Sequence, residues 1–336
     1  MRKHLFYILF TFMVVQICTV KPVIAQDPNF SQFFHSPLSI SPALAGNGDN
    51  KWRAMATFRN QSLGFGTNYN TRSVSVDGKV FQRPESPSYI GLGALFMQDD
   101  ALDGAYKSTF VTLNAAVHVA LDGNEIHGLT GGLGYVYNKT NINFNELTTG
   151  QQLSSSGFNR ALPTGEPGLT NIPGYSSVCA GLTYTFTTED MVADFGVAGY
   201  RFFKTKQSVY DNGSQMNNPR YDAHFSMGKL LSDRLDINMS ALYQLQSGVS
   251  GFIGGGYFGF THSDDPESPK AFNLGAYYRV GDAIIPYVGY VFKDFQFAVT
   301  YDVSMSSSNP GAVRANVFEL SLIYRNYKSS RNPLLW

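Results

Sequence analysis

The stretch that decides the fold is FQFAVTYDVS, residues 295–304. Its odd-numbered positions carry Phe, Phe, Val, Tyr and Val, and its even-numbered positions carry Gln, Ala, Thr, Asp and Ser. Alternation with a period of two is typical of a β-strand with one apolar and one polar face. The same pattern recurs in residues 108–121, 235–246 and 318–325. The chain therefore builds a sheet whose two faces meet different surroundings.

The length of these segments indicates what the surroundings are. They run for about 10 residues or more, whereas a strand of a soluble protein has about 5–6. A tilted strand that crosses a membrane needs about 9–11 residues. The polar face carries Gln, Asp and Asn, which a dry core would exclude and a wet barrel interior accepts. We therefore expect an all-β fold, an antiparallel transmembrane β-barrel of the outer-membrane type.

The pattern predicts about fourteen strands, an even number that returns both ends of the barrel to the same side. The strands are expected at 51–60, 67–77, 88–98, 105–120, 126–141, 175–187, 191–203, 220–230, 234–246, 251–261, 271–280, 283–293, 295–304 and 313–325. Most connections on one side are short, with 78–87 as a long exception. The other long connections, at 142–174, 204–219 and 305–312, fall on the opposite side, where 281–282 is a short exception. Because the short turns of such barrels are periplasmic, the N- and C-termini are expected there. Pro286 cannot donate to a strand ladder, so we expect a bulge at that residue.

Composition fits this interpretation and excludes some functions. The 336 residues include 25 basic and 25 acidic ones, so no net charge attracts nucleic acid. Only 15% of residues are charged, against about 25% in ordinary soluble domains. The 33 glycines, 26 phenylalanines and 20 tyrosines suit a barrel wall with aromatic girdles.

Residues 1–25 have the features of a signal peptide. Arg2 and Lys3 precede an apolar run from Leu5 to Val15, and residues 23–25 suit cleavage after Ala25. The run is too short for a membrane anchor, which needs about 18 or more apolar residues. Cys18 suggests a lipoprotein as an alternative, but the bulky Ile17 before it disfavours that interpretation. After cleavage one cysteine, Cys179, remains, and one thiol cannot form an internal disulfide.

Residues 26–50 differ from the predicted barrel, residues 51–325, and from the C-terminal tail, residues 326–336. Three prolines block regular helix and central strand in this segment. Its apolar side chains are nevertheless too many for a solvated tail. We expect the segment to pack into the periplasmic mouth or the lumen as an irregular plug, and the alternative is a loose leader. The plug residues would be Phe30, Phe33, Phe34, Leu38, Ile40 and Leu44.

The start and the end of the mature chain resemble those of a known family. DPNFSQF at 27–33 is followed by SPL at 36–38 and SPALAG at 41–46. PYVG at 286–289, YDVS at 301–304 and FELSLIY at 318–324 stand near the other end. This arrangement resembles the PorP/SprF family of the type IX secretion system. Ser36 and Ser41 stand where the family pattern has asparagine.

The resemblance implies an outer-membrane barrel of the Bacteroidota. It would be an accessory or surface-anchoring partner for proteins that the type IX secretion system exports. The partner would be a secreted adhesin, such as one of gliding motility, or another protein with a C-terminal sorting domain. Other components of the secretion system are further candidates. Barrel architecture alone leaves a second hypothesis open, a passive channel or transporter for a small solute.

The long predicted outer connection, 142–174, is the candidate surface for that partner. Long connections without their own secondary structure are often functional. The alternative is a shield that folds over the barrel mouth. Its apolar side chains, the expected partner-binding residues, are Phe144, Leu147, Phe158, Leu162, Leu169 and Ile172.

The sequence indicates no enzyme, no cofactor and no metal site. If Asp122 and Gly123 form a two-residue turn, His118 and His127 face each other across that hairpin, but no further ligands have a recognised spacing. A Ser-His triad cannot form along one strand, because residues four apart are about 13 Å from each other. The glycines of 131–134 and 254–256 precede no helix and are better explained as bends of the barrel wall.

Overall fold

A computed structural model describes residues 29–48, 50–62, 68–82, 87–159, 161–165, 172–203, 205–206, 216–263, 269–305 and 316–326. The signal peptide predicted at 1–25 and the tail beyond Asn326 lie outside these residues. Among the described residues, no helix is long and apolar enough to cross a bilayer.

Fourteen antiparallel strands form one closed barrel in which each strand pairs with its neighbours in the chain. The first and last strands close the ring through ten residue pairs, from Arg53 with Arg325 to Ser62 with Asn316. The strands are β1 Trp52–Ser62, β2 Asn68–Gln82, β3 Tyr89–Ala101, β4 Tyr106–Ala120, β5 His127–Ile142, β6 Tyr175–Thr187, β7 Met191–Tyr200, β8 Arg220–Ser232, β9 Leu235–Gln246, β10 Val249–Thr261, β11 Lys270–Arg279, β12 Ala283–Phe292, β13 Phe295–Ser304 and β14 Asn316–Arg325. The predicted fold class is confirmed.

The alternation seen in the sequence becomes an inside and an outside. On β13, Gln296, Thr300 and Asp302 are buried in the lumen, whereas Phe297 and Val299 are exposed on the outer wall. An outer surface of this kind is stable only in lipid, since the hydrophobic effect would otherwise oppose so large an apolar area. The wall closes on itself, so its backbone amides are paired around the ring, as a bilayer requires.

Aromatic side chains flank the apolar band on both sides. At one end the outer wall carries Trp52, Phe260, Phe272, Phe295 and Tyr324. At the other end it carries Tyr221, Tyr243, Tyr278 and Tyr301. Such girdles are typical of the two interfaces of a transmembrane barrel.

The two ends of the barrel differ in their connections. We call one the short-turn end, because turns such as 188–190 and 293–294 lie there, together with Trp52 and Arg325. The opposite, long-loop end carries the connections 143–174 and 201–219. Each of these two long connections contains a short hairpin. Leu153–Ser154 pairs with Gly157–Phe158 in the first, and Thr205–Lys206 pairs with Met216–Asn217 in the second.

The bulge predicted at Pro286 is wrong. β12 and β13 keep the same register on both sides of Pro286, with Ile284 opposite Val303 and Tyr287 opposite Thr300. The ladder skips two pairs without a shift, and Pro286 still lies opposite Ala276 on β11. The missing amide hydrogen of Pro286 therefore interrupts the backbone pairing only with β13, while the pairing with β11 continues. The register does shift on β2 between Lys79 and Phe81 and on β8 between Leu230 and Ser232.

Candidate functional site

Residues 29–48 form a chain segment inside the barrel, which we call the lumen segment. It consists of three single-turn 3-10 helices, Phe33–His35, Pro37–Ser39 and Pro42–Leu44, and two of them begin with proline. Proline fits the first turn of a helix, where no amide donor is needed, and prevents a longer one. All of its residues except Asn29, Ser39, Asn47 and Gly48 are buried.

Near the long-loop end, Glu319 of β14 holds the start of the lumen segment. Its carboxylate accepts hydrogen bonds from the backbone amides of Ser31 at 2.7 Å and Gln32 at 2.8 Å. The guanidinium of Arg59 on β1 is 2.6 Å from the same carboxylate. Glu319 and Arg59 stand on the two strands whose pairing closes the barrel, so this contact bridges the closure.

A second ion pair binds the hydroxyl group of Ser31. That hydroxyl donates to Asp302 of β13 at 2.8 Å and accepts from Arg279 of β11 at 2.6 Å. Arg279 in turn is 2.9 Å from Asp302. Charge-assisted hydrogen bonds of this length are stronger than bonds between neutral groups. Two ion pairs therefore fix the start of the lumen segment. Within each pair the positive and negative charges of the wall neutralise each other.

Aromatic packing holds the middle of the lumen segment. The ring of Phe34 is stacked on Tyr277 with centroids 4.8 Å apart and meets the edge of Tyr287 at 5.6 Å. Phe33 meets the edges of Phe34 and Tyr277. Aromatic pairs at these distances add to the free energy gained by burial. Beside them, the ring of His35 is within hydrogen-bond distance of Gln32 and Ser321.

At the short-turn end a third ion pair holds the end of the lumen segment. Asp77 of β2 accepts from the backbone amide of Gly46 at 2.7 Å and pairs with Arg53 at 2.9 Å. Arg53 also donates to the carbonyl of Leu44 at 3.0 Å. The ring of His118 lies 2.8 Å from the carbonyl of Ala45.

Glycines of the wall let the backbone of the lumen segment approach closely. A Cβ atom at Gly91 of β3 would overlap the carbonyl of Ala45, and one at Gly132 of β5 would overlap the backbone of Ala43. Gly131, next to Gly132, has nothing within 4 Å of such an atom. The glycine run 131–134 is thus partly a contact surface for the lumen segment.

The structure places every described residue of the predicted plug in the lumen. Phe30, Phe33, Phe34, Leu38, Ile40 and Leu44 are all buried there. The sequence analysis missed their polar anchors, Arg53, Arg59, Asp77, Arg279, Asp302 and Glu319. Their one signal in the sequence is that charged residues occupy inward positions of predicted transmembrane strands.

The lumen segment runs through the barrel from end to end. Asn29 and Phe30 share a cavity of about 130 Å³ with Gly251 and Arg279 at the long-loop end, and Asn50 leads into β1 at the short-turn end. We expected both termini on one side. The ends of the strand ring do lie together, but Asn29 lies at the end opposite Arg325. The extra passage through the lumen, which strand counting does not include, causes this difference.

The predicted partner-binding residues lie at the long-loop end. Phe158, which pairs with Leu153 in its short hairpin, is 59% exposed, and Leu162 is also exposed. Phe144, Leu147 and Ile172 are half-buried, and Leu169 lies outside the described residues. The sequence analysis missed Phe203, which is 76% exposed at the same end.

The expectation that His118 and His127 face each other is wrong. His118 lies opposite Thr130 and is buried in the lumen. His127 points outward and lies 2.6 Å from the hydroxyl of Tyr184. The turn is longer than two residues, so the two histidines are on opposite faces of the wall. Within the described part of the chain, no three His, Cys, Asp or Glu side chains come together as a metal site would require.

Comparison with known proteins gives the fold and the family. The barrel is similar to a FadL homologue of Pseudomonas aeruginosa, with a TM-score of 0.52, 10% sequence identity, and coverage of 85% of this chain and 93% of that one. It is also similar to the toluene transporter TbuX of Ralstonia pickettii, with a TM-score of 0.49, 11% identity, and coverage of 86% and 92%. At such low identity these likenesses concern the fold alone. No curated protein matches the sequence significantly.

The sequence pattern of one family, described as type IX secretion system membrane protein PorP/SprF, matches residues 23–324. The match covers the lumen segment and all fourteen strands except Arg325, the last residue of β14, and with them both groups of motifs noted above. The chain therefore belongs to the PorP/SprF family of outer-membrane proteins of the type IX secretion system.

Proposed function

We propose that this protein is a surface-anchoring or accessory partner for proteins exported by the type IX secretion system, and that it acts by binding without chemistry. The observation that carries the proposal is the filled lumen. The lumen segment is held at both ends by ion pairs and in the middle by stacked aromatic rings. A passage for solutes would need this segment to leave, so the barrel serves better as a rigid support.

The long-loop end supplies a surface for the partner. Because extracellular loops are the long ones in such barrels, Phe158, Leu162 and Phe203 would face the cell exterior. Exposed apolar side chains grouped on one face are typical of interaction sites. The partner would be a secreted protein with a C-terminal sorting domain, such as an adhesin, and gliding motility is one process it would serve. Outer-membrane lipid and other components of the secretion system would complete its surroundings.

The test is crosslinking in native membranes followed by identification of the retained protein. The double variant Phe158→Ser with Leu162→Ser should lower retention several-fold, and deletion of 145–170 should abolish it. The matched control is Leu121→Ser, since Leu121 is similarly exposed at the short-turn end. Heat-modifiable mobility on a gel would report that each barrel is folded. Unchanged retention in the folded deletion variant would rule out this loop as the contact.

Single-channel conductance of the purified full-length barrel distinguishes the proposed partner role from the alternative function, a passive channel for a small solute. A filled lumen predicts no stable open state. A steady conductance of the wild-type protein would favour transport and contradict the partner role.

A further inference from the structure

A groove of about 730 Å³ crosses the lipid-facing wall on six neighbouring strands, from β2 to β11. Its side chains form one continuous register row. The row consists of Val74, Ala56, Leu322, Phe297, Tyr290 and Phe272. Ala56 is small where its neighbours are bulky, so it forms the floor. Five strand spacings of about 4.8 Å make the groove about 24 Å long.

The groove ends at a cation. Arg72 of β2 lines it towards the long-loop end, and its side chain is 56% exposed on the outer wall. Its guanidinium is 2.9 Å from Asp100 of β3. Two more cations follow on the next strands: Lys107 lies opposite Asp100, and Lys139 lies in the register row that joins Arg72, Gln98 and Thr109.

These three cations share one arc of the wall. Lys107 and Lys139 are exposed and point outward, and with Asp100 among them the cluster carries a net charge of +2. The other described strands present uncharged side chains at the same end of the outer wall, chiefly tyrosines such as Tyr221, Tyr243 and Tyr278. A lipid-facing cation costs little free energy near the interface and is attracted there by anionic lipids, so the net charge of +2 suits negatively charged headgroups.

We propose that this arc and groove form a binding site for a phosphate-bearing glycolipid of the leaflet at the long-loop end. The phosphate groups would contact Arg72, Lys107 and Lys139, and an acyl chain would lie along the apolar groove over Ala56. In a bacterial outer membrane the long loops face outside, so the ligand class is that of lipopolysaccharide. The site is separate from the lumen and from the loop surface proposed for the secreted partner.

The test measures binding of lipid A to the full-length barrel in neutral detergent, from the rise in its unfolding temperature with lipid concentration. Three probes are compared: bisphosphorylated lipid A, the same lipid with its phosphates removed, and inorganic phosphate. The proposal expects a clear stabilisation by the first alone. Each Lys or Arg near an anionic lipid is worth about a fivefold change in affinity. The variant Arg72→Gln with Lys107→Gln and Lys139→Gln should therefore bind at least tenfold more weakly.

A matched triple variant at the short-turn end serves as control: Lys229→Gln with Lys270→Gln and Lys293→Gln should keep the wild-type affinity. Ala56→Leu, which fills the groove, should weaken binding of lipid A while the cations remain. Equal losses in both triple variants would overturn the proposal in favour of general charge attraction. Equal stabilisation by inorganic phosphate, or by the dephosphorylated lipid, would overturn it as well. All variants change residues of the outer wall or of its turns, and heat-modifiable gel mobility verifies folding before each measurement.

Discussion

At the scale of single residues, the neighbours Gly131 and Gly132 point to opposite sides of the wall and offer a matched pair of substitutions. Gly132→Ala should destabilise the barrel by about 1–3 kcal/mol, because its Cβ would overlap the backbone of Ala43 in the lumen segment. Gly131→Ala should change stability by less than about 1 kcal/mol, since nothing lies near that position. Thermal unfolding in detergent measures both. Equal effects would mean that the lumen segment does not lie against β5.

Glu319 is the residue whose change should loosen the lumen segment most. Glu319→Gln keeps the shape, but it removes the charge opposite Arg59 and turns one acceptor into a donor that faces a backbone amide. Breaking a buried ion pair in this way lowers the free energy of unfolding by about 3–5 kcal/mol. Denaturant unfolding of the barrel and protease cleavage within residues 29–48 should both report it.

The control for this change is Glu189→Gln, a charge removal in the exposed turn 188–190. It should leave stability and proteolysis unchanged. If Glu319→Gln behaved like this control, the contact between Glu319 and the lumen segment would not stabilise the protein.

Sequence reasoning found one half of the candidate site at this scale. Phe33, Phe34 and Leu38 could be identified because the segment is too apolar to remain in solvent and its prolines prevent a regular helix or strand, so these side chains must be buried against the barrel. Their polar anchors could not be identified, because Ser31 and Glu319 are separated by 288 positions in the chain. No local sequence feature of either residue indicates that it contacts the other. A charged residue on an inward strand position indicates a wet lumen as readily as it indicates a binding partner.

At the scale of elements, the strands were predictable because each one satisfies two constraints at once, a period of two and a length that spans the bilayer. All fourteen were found, and the errors lie at their ends. β7 stops at Tyr200, before the predicted 203, because Arg201 has a positive φ of 55°. β10 starts at Val249, before the predicted 251, because Ser247 and Gly248 form a tight turn with positive φ angles. Such turns depend on backbone geometry that residue type alone does not fix.

The lumen segment is the element whose removal should change conductance. Deleting residues 29–47 should leave a folded barrel, because the wall charges remain paired with each other: Arg59 with Glu319, Arg279 with Asp302, and Arg53 with Asp77. The vacated lumen should then conduct ions in a planar bilayer, whereas the full-length protein should not. A deletion variant that folds but does not conduct ions would show that other parts of the chain block the lumen.

At the scale of the whole molecule, the course of the lumen segment predicts an unusual topology. Asn29 lies at the long-loop end, so the variant Asn29→Cys should react with a membrane-impermeant maleimide added to intact cells. Asn124→Cys, in an exposed turn at the short-turn end, should react only after the outer membrane is opened. Cys179 is fully buried and should contribute no background. The reverse labelling pattern would invert the orientation of the barrel.

Because Glu319 belongs to the last strand and Arg59 to the first, the ion pair beside the amide of Ser31 is complete only after the two edges of the sheet have met. A nascent barrel with separated edges lacks the Arg59–Glu319 pair, whereas Arg279 and Asp302, on β11 and β13, can already bind the hydroxyl of Ser31. Full anchoring of the lumen segment therefore depends on closure of the barrel, although closure does not depend on the lumen segment. Any factor that delays the meeting of the edges leaves the same intermediate, an open sheet whose lumen segment is only partly anchored.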